Sequence, residues 1–257
     1  MGNQVKILLT NDDGIQAPGL EALFQALKSS HECLVVAPAS EKSACGHSVS
    51  LGQKLVIEQR SPNRFAVFGT PADSVKFALS ELKHFRPDLL ISGINPGPNT
   101  GVSVFYSGTI SAAREGLINQ VPSIAVSLAD KAAVDFSVAA GFITELLQGS
   151  EKAPFSSGIV LNINLPALPA SQIRGIKVAR QAHSRFIEEF IQESYSDHRR
   201  VYTLAGEIEV YDPDGTTDEE LVSTGYIVLT PLKLDLTDYS QMPILETWLK
   251  TKGPKNI

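Results

Sequence analysis

Thiols are nearly missing from this chain: among 257 residues there are two cysteines, together with two methionines and one tryptophan. Cys33 and Cys45 are too far apart for a Cys-x-x-Cys metal or redox motif, and so low a count excludes a disulfide-stapled scaffold. No apolar run approaches the roughly 18 residues that a helical membrane span requires. Basic residues are scarce relative to acidic ones, 22 against 28, for a net charge of −6. That balance excludes a broad surface for nucleic-acid polymers, which needs a basic footprint. Also absent after the first apolar run is Gly-x-Gly-x-x-Gly, the phosphate loop of dinucleotide-binding folds. An apolar strand pattern starts at residue 5, so no secretory leader is expected and the cytoplasm is the expected location. What remains is an ordinary globular composition, 43% hydrophobic and 19% charged, long enough for a sizeable core.

Residues 5–19, VKILLTNDDGIQAPG, organise the rest. A short continuous run of Ile, Leu and Val reads as a strand buried on both faces, and ligands of open α/β sheets bind beyond the carboxyl ends of such strands. Asp12 and Asp13 stand at that end. Adjacent carboxylates repel each other, and no Lys or Arg lies close in sequence to offset them. A hard divalent cation, Mg²⁺ or Mn²⁺, is the simplest partner for such oxygens. A solvated Asp-Gly turn is the plain alternative.

Leu20, Leu23, Phe24 and Leu27 recur at helical spacing, and residues 33–37 form a second apolar strand. Strand, helix, strand in this order predicts a βαβ unit and a parallel sheet. Residues 37–50, APASEKSACGHSVS, make a small-residue loop at the carboxyl end of the second strand and offer Ser43, Cys45 and His47 as candidates. Segments 54–59 and 64–68 read as a hairpin, and Thr70-Pro71 opens a helix. Strand 89–93 ends in INPGPNTG, residues 94–101, whose prolines and glycines fix the carboxamides of Asn95 and Asn99. Amide oxygens suit hard cations. Ser107-Gly108-Thr109 starts another helix, where free N–H groups, two hydroxyls and the positive dipole end suit a phosphate, although an ordinary Ser or Thr cap accounts for it as well.

A strand at 123–128, a helix at 136–147, a polar connection at 149–157 and a strand at 159–165 are expected next. From residue 176 strand signals dominate, at 176–181, 200–211 and 225–232, around a polar, aromatic stretch at 183–199 carrying Phe186, Phe190 and Tyr195. A hairpin projecting from the core needs a partner surface to cover such residues, so self-association through this part is expected. A second lobe packed on itself is the alternative.

Loops after three parallel strands share one sheet edge, so Asp12, Asp13, Ser43 and Asn95 can meet around one ion. Five blocks, TNDDGIQAPG at 10–19, Ser-x-x-Gly-His-Ser at 43–48, GTPADSVKFA at 69–78, SGINPGPNTG at 92–101 and YSGT-x-x-AAREG at 106–116, occur in order. Together they resemble the SurE family, the survival protein E 5′/3′-nucleotidases, and GYIVLTPL-x-x-DLT at 225–237 resembles that family's C-terminal signature. The resemblance implies a metal-dependent phosphomonoesterase acting on nucleoside 5′-monophosphates, with 3′-monophosphates and short polyphosphate as further substrates. It implies one divalent cation per subunit, Mg²⁺ or Mn²⁺, on Asp12, Asp13, Ser43 and Asn95, with Asp12 and Asp13 catalytic. Asn11, Asn99, Ser107, Gly108 and Thr109 then lie beside the phosphate. It implies an α/β fold, a Rossmann-like and mostly parallel sheet flanked by helices with a β-rich C-terminal extension and a projecting hairpin. Residues 1–257 form a single domain: 1–150 hold the core and site, and 151–257 supply strands, arm and tail for a dimer or tetramer. One departure is Ser103, where family members often have Asp.

Asp13 is the candidate to orient a water or act as general base, direct attack by an Asp through an aspartyl-phosphate is a second route, and His47 is a candidate proton donor to the leaving alkoxide. Two other classes compete. A zinc N-deacetylase needs histidine ligands near its Asp pair, and none of the five histidines is such a neighbour. A non-catalytic nucleotide sensor would keep the phosphate site, but its acidic pair would repel the ligand.

Overall fold

The computed structural model describes residues 4–133, 135–148, 158–196, 198–211 and 214–253. The opening apolar run forms β1 (Lys6–Thr10), α1 (Pro18–Leu27) lies back on it, and β2 (Glu32–Pro38) pairs parallel to β1. The hairpin of β3 (Ile57–Ser61) and β4 (Arg64–Val67) extends the sheet, β4 running parallel to β2. Helix α2 (Pro71–Glu81) starts at a capping box: Thr70 accepts from the Asp73 N–H, and the Asp73 carboxylate accepts from the Thr70 N–H. Then β5 (Leu89–Pro96) takes the free side of β1, followed by α3 (Ser103–Tyr106), α4 (Gly108–Ile118), β6 (Ser123–Leu128), α5 (Ser137–Gln148) and β7 (Val160–Leu165). The expected connection at 149–157 lies outside the described residues.

The sheet order is β3-β4-β2-β1-β5-β6-β7, continued by β11 (Ile227–Leu232) and β8 (Ile176–Val178). Neighbours from β4 to β7 are parallel, while β3 and β11 run antiparallel to β4 and β7. Strand β1 shows why its sequence is apolar without interruption. Ile7 and Leu9 face one layer with Leu20, Leu23 and Ile143, and Leu8 faces the opposite layer with Val75, Ile110 and Ala113. Successive side chains alternate between two covered faces, and each fully buried Leu or Ile is worth about 1.5–3 kcal/mol.

From β1 the chain first builds outward to β2, then crosses back to β5 on the other side. Strand order therefore reverses between β1 and β5, and a crevice opens there beyond their carboxyl ends. Gly19 seats α1 against this point, because a Cβ at residue 19 would lie 2.0 Å from the carbonyl oxygen of Ile94.

The C-terminal part differs in kind. Strands β9 (Ser184–Ser196) and β10 (Arg199–Val210) pair only with each other, as a long antiparallel ribbon. The stretch at 183–199, read from sequence as polar and aromatic, thus supplies a full strand, with no clean alternation because most of both its faces stay exposed. Three helices were not anticipated: the one-turn α3, α6 (Asp218–Ser223), started by Thr217 accepting from the Glu220 N–H, and α7 (Met242–Lys252), which buries none of its residues.

Candidate active site

Strand β1 delivers Asn11, Asp12, Asp13 and Gly14 into the crevice. Asn11 is fully buried and its carboxamide closes the turn, Nδ2 donating to the Gly14 carbonyl at 3.0 Å and Oδ1 accepting from the Gly14 N–H at 3.2 Å. Both its polar atoms thus shape the loop that carries Asp12 and Asp13. Asp12 is 4% exposed, and its Oδ1 accepts from the Thr109 hydroxyl at 2.5 Å. The Thr109 hydroxyl is thereby held at the carboxylate.

Helix α4 reaches the carboxylate because residue 108 is glycine, where a Cβ would lie 2.6 Å from the Asp12 Cβ. The positive end of the helix therefore stands directly at Asp12. Ser107 caps this helix, its Oγ accepting from the Ile110 N–H at 3.1 Å and its own proton remaining to donate. Asn95 at the end of β5 turns Nδ2 toward the Gly97 carbonyl at 2.7 Å, while its Oδ1 lies 3.3 Å from the Thr109 hydroxyl. One threonine hydroxyl thus touches both Asp12 and Asn95.

The loop after β2 is drawn in by the Lys42 N–H, which donates to the Asp12 carbonyl at 2.7 Å. Ser43 comes with it, but its exposed hydroxyl donates to Glu41 Oε1 at 2.7 Å. His47 is held by Glu115, their Nε2 and Oε2 lying 3.0 Å apart, and Lys76 donates to the other oxygen of Glu115 at 2.7 Å. Burial of Glu115, 1% exposed, disfavours its charge, yet bonds from His47 and Lys76 prevail and hold its carboxyl down at about 2. Asn99 belongs to the scaffold: its N–H donates to Asn164 Oδ1, its Nδ2 to Ser127 Oγ, and its carbonyl accepts from Asn162.

Electrostatics single out the acidic pair. Burial raises the pKa of Asp12, opposed by the Thr109 hydroxyl. Asp13 is pushed up to about 7, first by burial and then by the charges of Asp12 and Glu41. Its Oδ2 is buried without a hydrogen-bond partner among the described residues. Such an oxygen costs free energy until something positive or donating meets it. Among the described residues no trio of His, Cys, Asp or Glu converges to hold a metal, so a cation here would rest on two carboxylates and neutral oxygens. That set fits a hard divalent ion, whose charge two carboxylates balance. A cleft of about 550 Å³ bordered by Phe105, Arg114, Arg180 and Lys233 is elsewhere; neither aspartate lines it.

Several contributors escaped the sequence reading. Glu41 adds charge to the pair, Glu115 tethers His47, and Asn162 and Asn164 anchor Asn99 from β7. The two β7 asparagines did leave a sign, two polar residues at alternate positions of an otherwise apolar strand.

A doubly wound α/β sheet whose switch-point crevice gathers two carboxylates, one buried and one half-buried, under a helix N-terminus defines a protein suited to a hard cation and an anionic group. The family model described as survival protein SurE matches residues 7–188, and the chain belongs to that family. It is 41% identical over 248 residues to the 5′-nucleotidase SurE of Syntrophobacter fumaroxidans, covering 95% of this chain and 99% of the other. Identity to the 5′-nucleotidase SurE of Moorella thermoacetica is 43% over 253 residues, covering 96% and 97%. The crystal structure of the SurE protein from Aquifex aeolicus superposes with a TM-score of 0.79 at 37% identity, covering 94% of this chain and 98% of that one.

Proposed function

We propose that this chain is a divalent-cation-dependent 5′-nucleotidase that hydrolyses nucleoside monophosphates in the β1–β5 crevice. The observation that carries this conclusion is the pair of buried Asp12 and half-buried Asp13, with Asp13 Oδ2 unpartnered among the described residues, beside the N-terminus of α4. Both relatives cited above are named for this enzyme, which favours it over a nucleotide sensor.

Asp12, Asp13, the Asn95 carboxamide oxygen and the Ser43 hydroxyl are the proposed cation donors, and Mg²⁺ or Mn²⁺ the ion. When bound, it supplies neutralising charge at the phosphoryl oxygens and makes a nearby water more acidic. The chain does the rest. Thr109 fixes the orientation of Asp12 through a 2.5 Å bond, Asp13 receives the proton of the attacking water, and the Gly108 and Thr109 end of α4 faces the phosphate. The Lys42 tether holds the loop carrying Ser43 against the pair. We assign 3′-monophosphates and short polyphosphate as further substrates, place the protein in the cytoplasm, and assign the arm and tail to a dimer or tetramer.

The test is phosphate release from nucleoside 5′- and 3′-monophosphates and short polyphosphate, in metal-free buffer and with Mg²⁺, Mn²⁺ or Zn²⁺ restored. Release from 5′-monophosphates only after Mg²⁺ or Mn²⁺ is restored is the expected result. No release with any cation, from protein shown to be folded, returns the site to a nucleotide sensor.

A further inference from the structure

Asp218, at the start of α6, is fully buried and lies outside the residues matched by the family model. Its carboxylate gathers backbone donors from three segments. The Gly101 N–H lies 3.2 Å from both oxygens, and the Ala182 and Glu219 N–H groups each lie 2.9 Å from Oδ1. Gly101 ends the loop that follows Asn95 and Pro96 of β5, and Ala182 lies two residues before the first residue of the arm, Ser184. Further bonds fasten the same joint: Thr100 donates to Glu219, Gln181 Nε2 donates to the Gly101 carbonyl at 2.7 Å, and the Val102 N–H donates to Ser184 Oγ at 2.8 Å.

The loop between Asn95 and Gly101 is stiff, because Pro96 and Pro98 fix two of its φ angles. Asn99, bonded to Asn162 and Asn164 of β7, is one anchor. The Gly97 N–H, donating to the Leu128 carbonyl at 2.8 Å, holds the near end of the loop, and Asp218 holds its far end at Gly101, so that the whole segment has one direction. Bonds to an ionised acceptor are roughly twice as strong as neutral ones, which suits the Asp218 carboxylate to that far anchor. We infer that Asp218 is a positioning residue of the active site, which aims the Asn95 oxygen by tying the far end of its loop to the foot of the arm. This rests on the cation site proposed above, and assigns the C-terminal region a part in it.

The experiment compares Asp218→Ala, Asp218→Asn and, as a control on the arm surface, Glu209→Gln in the full chain. Mn²⁺ affinity is measured by electron paramagnetic resonance, kcat and KM at saturating Mn²⁺, and hydrogen exchange over residues 99–102. Removal of groups that orient metal ligands costs about 10- to 100-fold in affinity, so Asp218→Ala is expected to weaken Mn²⁺ binding at least tenfold, speed exchange at 99–102 and lower kcat more than it raises KM. Asp218→Asn keeps one acceptor oxygen and should fall between Asp218→Ala and wild type, while Glu209→Gln matches wild type. Wild-type Mn²⁺ affinity in folded Asp218→Ala overturns the inference; should that variant not fold, wild-type affinity and exchange in Asp218→Asn overturn it equally. A wild-type chain that binds no Mn²⁺ overturns the cation site instead, and unchanged exchange at 99–102 in Asp218→Ala then refutes the clamp by itself.

Discussion

Within the β1–β5 crevice, Asn11, Asp12, Asn95 and Asn99 all find hydrogen-bond partners inside the chain, and the strands beneath them are covered on both faces. Along the arm and tail the reverse holds: Phe190 is 64% exposed, Tyr195 63%, and Ile244, Leu245, Trp248 and Leu249 of α7 are all exposed. Each region leaves one kind of need unmet. In the crevice it is charge, concentrated on buried Asp12 and half-buried Asp13, which the cation proposed above would answer at little cost in surface. On the arm it is apolar area, which a second copy of the chain, as proposed above, would cover. The two needs differ in chemistry, and Asp218 bonds a residue of the crevice loop, Gly101, to one at the foot of the arm, Ala182.

The strongest way to break this contrast is to remove the charge from the crevice. Asp12→Asn combined with Asp13→Asn should cut turnover by about 10³-fold or more, since metal and electrostatic stabilisation would go together. The cation-free fold should gain stability at the same time. Burial and neighbouring charge push the Asp13 carboxyl up from its ordinary 3.8 to about 7 in the folded chain, so the folded wild type loses stability as pH rises between those values, and the loss is complete above 7. Thermal melts in chelator should therefore show the variant's advantage largest at pH 8 and nearly gone at pH 4. Wild-type turnover, or a lower melting point at pH 8, would sink the cation-site account.

A smaller effect tests whether the loop over the crevice is held from within. Glu115→Gln should cost about 2 kcal/mol at pH 7, after discounting for the partly exposed His47 and Lys76. Here the folded pKa is depressed from 4.5 to about 2, so the stabilisation is fully present above 4.5 and disappears as pH falls through 2. Urea unfolding at pH 7 and pH 2.5 measures it, and a pH-independent difference would remove the ion pairs as its source. The smallest effect on the fold belongs to the arm. Phe190→Ser with Tyr195→Ser should reduce the native mass seen by light scattering, yet change the unfolding free energy of the dilute protein by only about 0.5 kcal/mol, as exposed positions do. An unchanged mass would refute assembly through this ribbon.

Much of this architecture is legible in the chain because its signals are local. The apolar run before Asp12 and Asp13 fixes both a buried strand and the end at which the carboxylates appear, and Thr70 with Asp73 marks the start of α2 within four residues. Periodicity and capping act over one or two turns, so they survive without a structure. The tasks of individual polar residues do not. Thr109 could be a helix cap, a phosphate ligand or a partner of Asp12, and only a contact across 97 residues decides it. The clamp from Asp218 to Gly101 spans 117 residues, and neither residue carries a pattern pointing to the other. By itself the sequence determined the parallel sheet, the family and the acidic pair at the strand end. The tertiary structure alone decided that Thr109 meets Asp12, that Glu115 holds His47 and that the arm is rooted at the Asn95 loop, because these hydrogen bonds join residues that are far apart in sequence and that folding brings together.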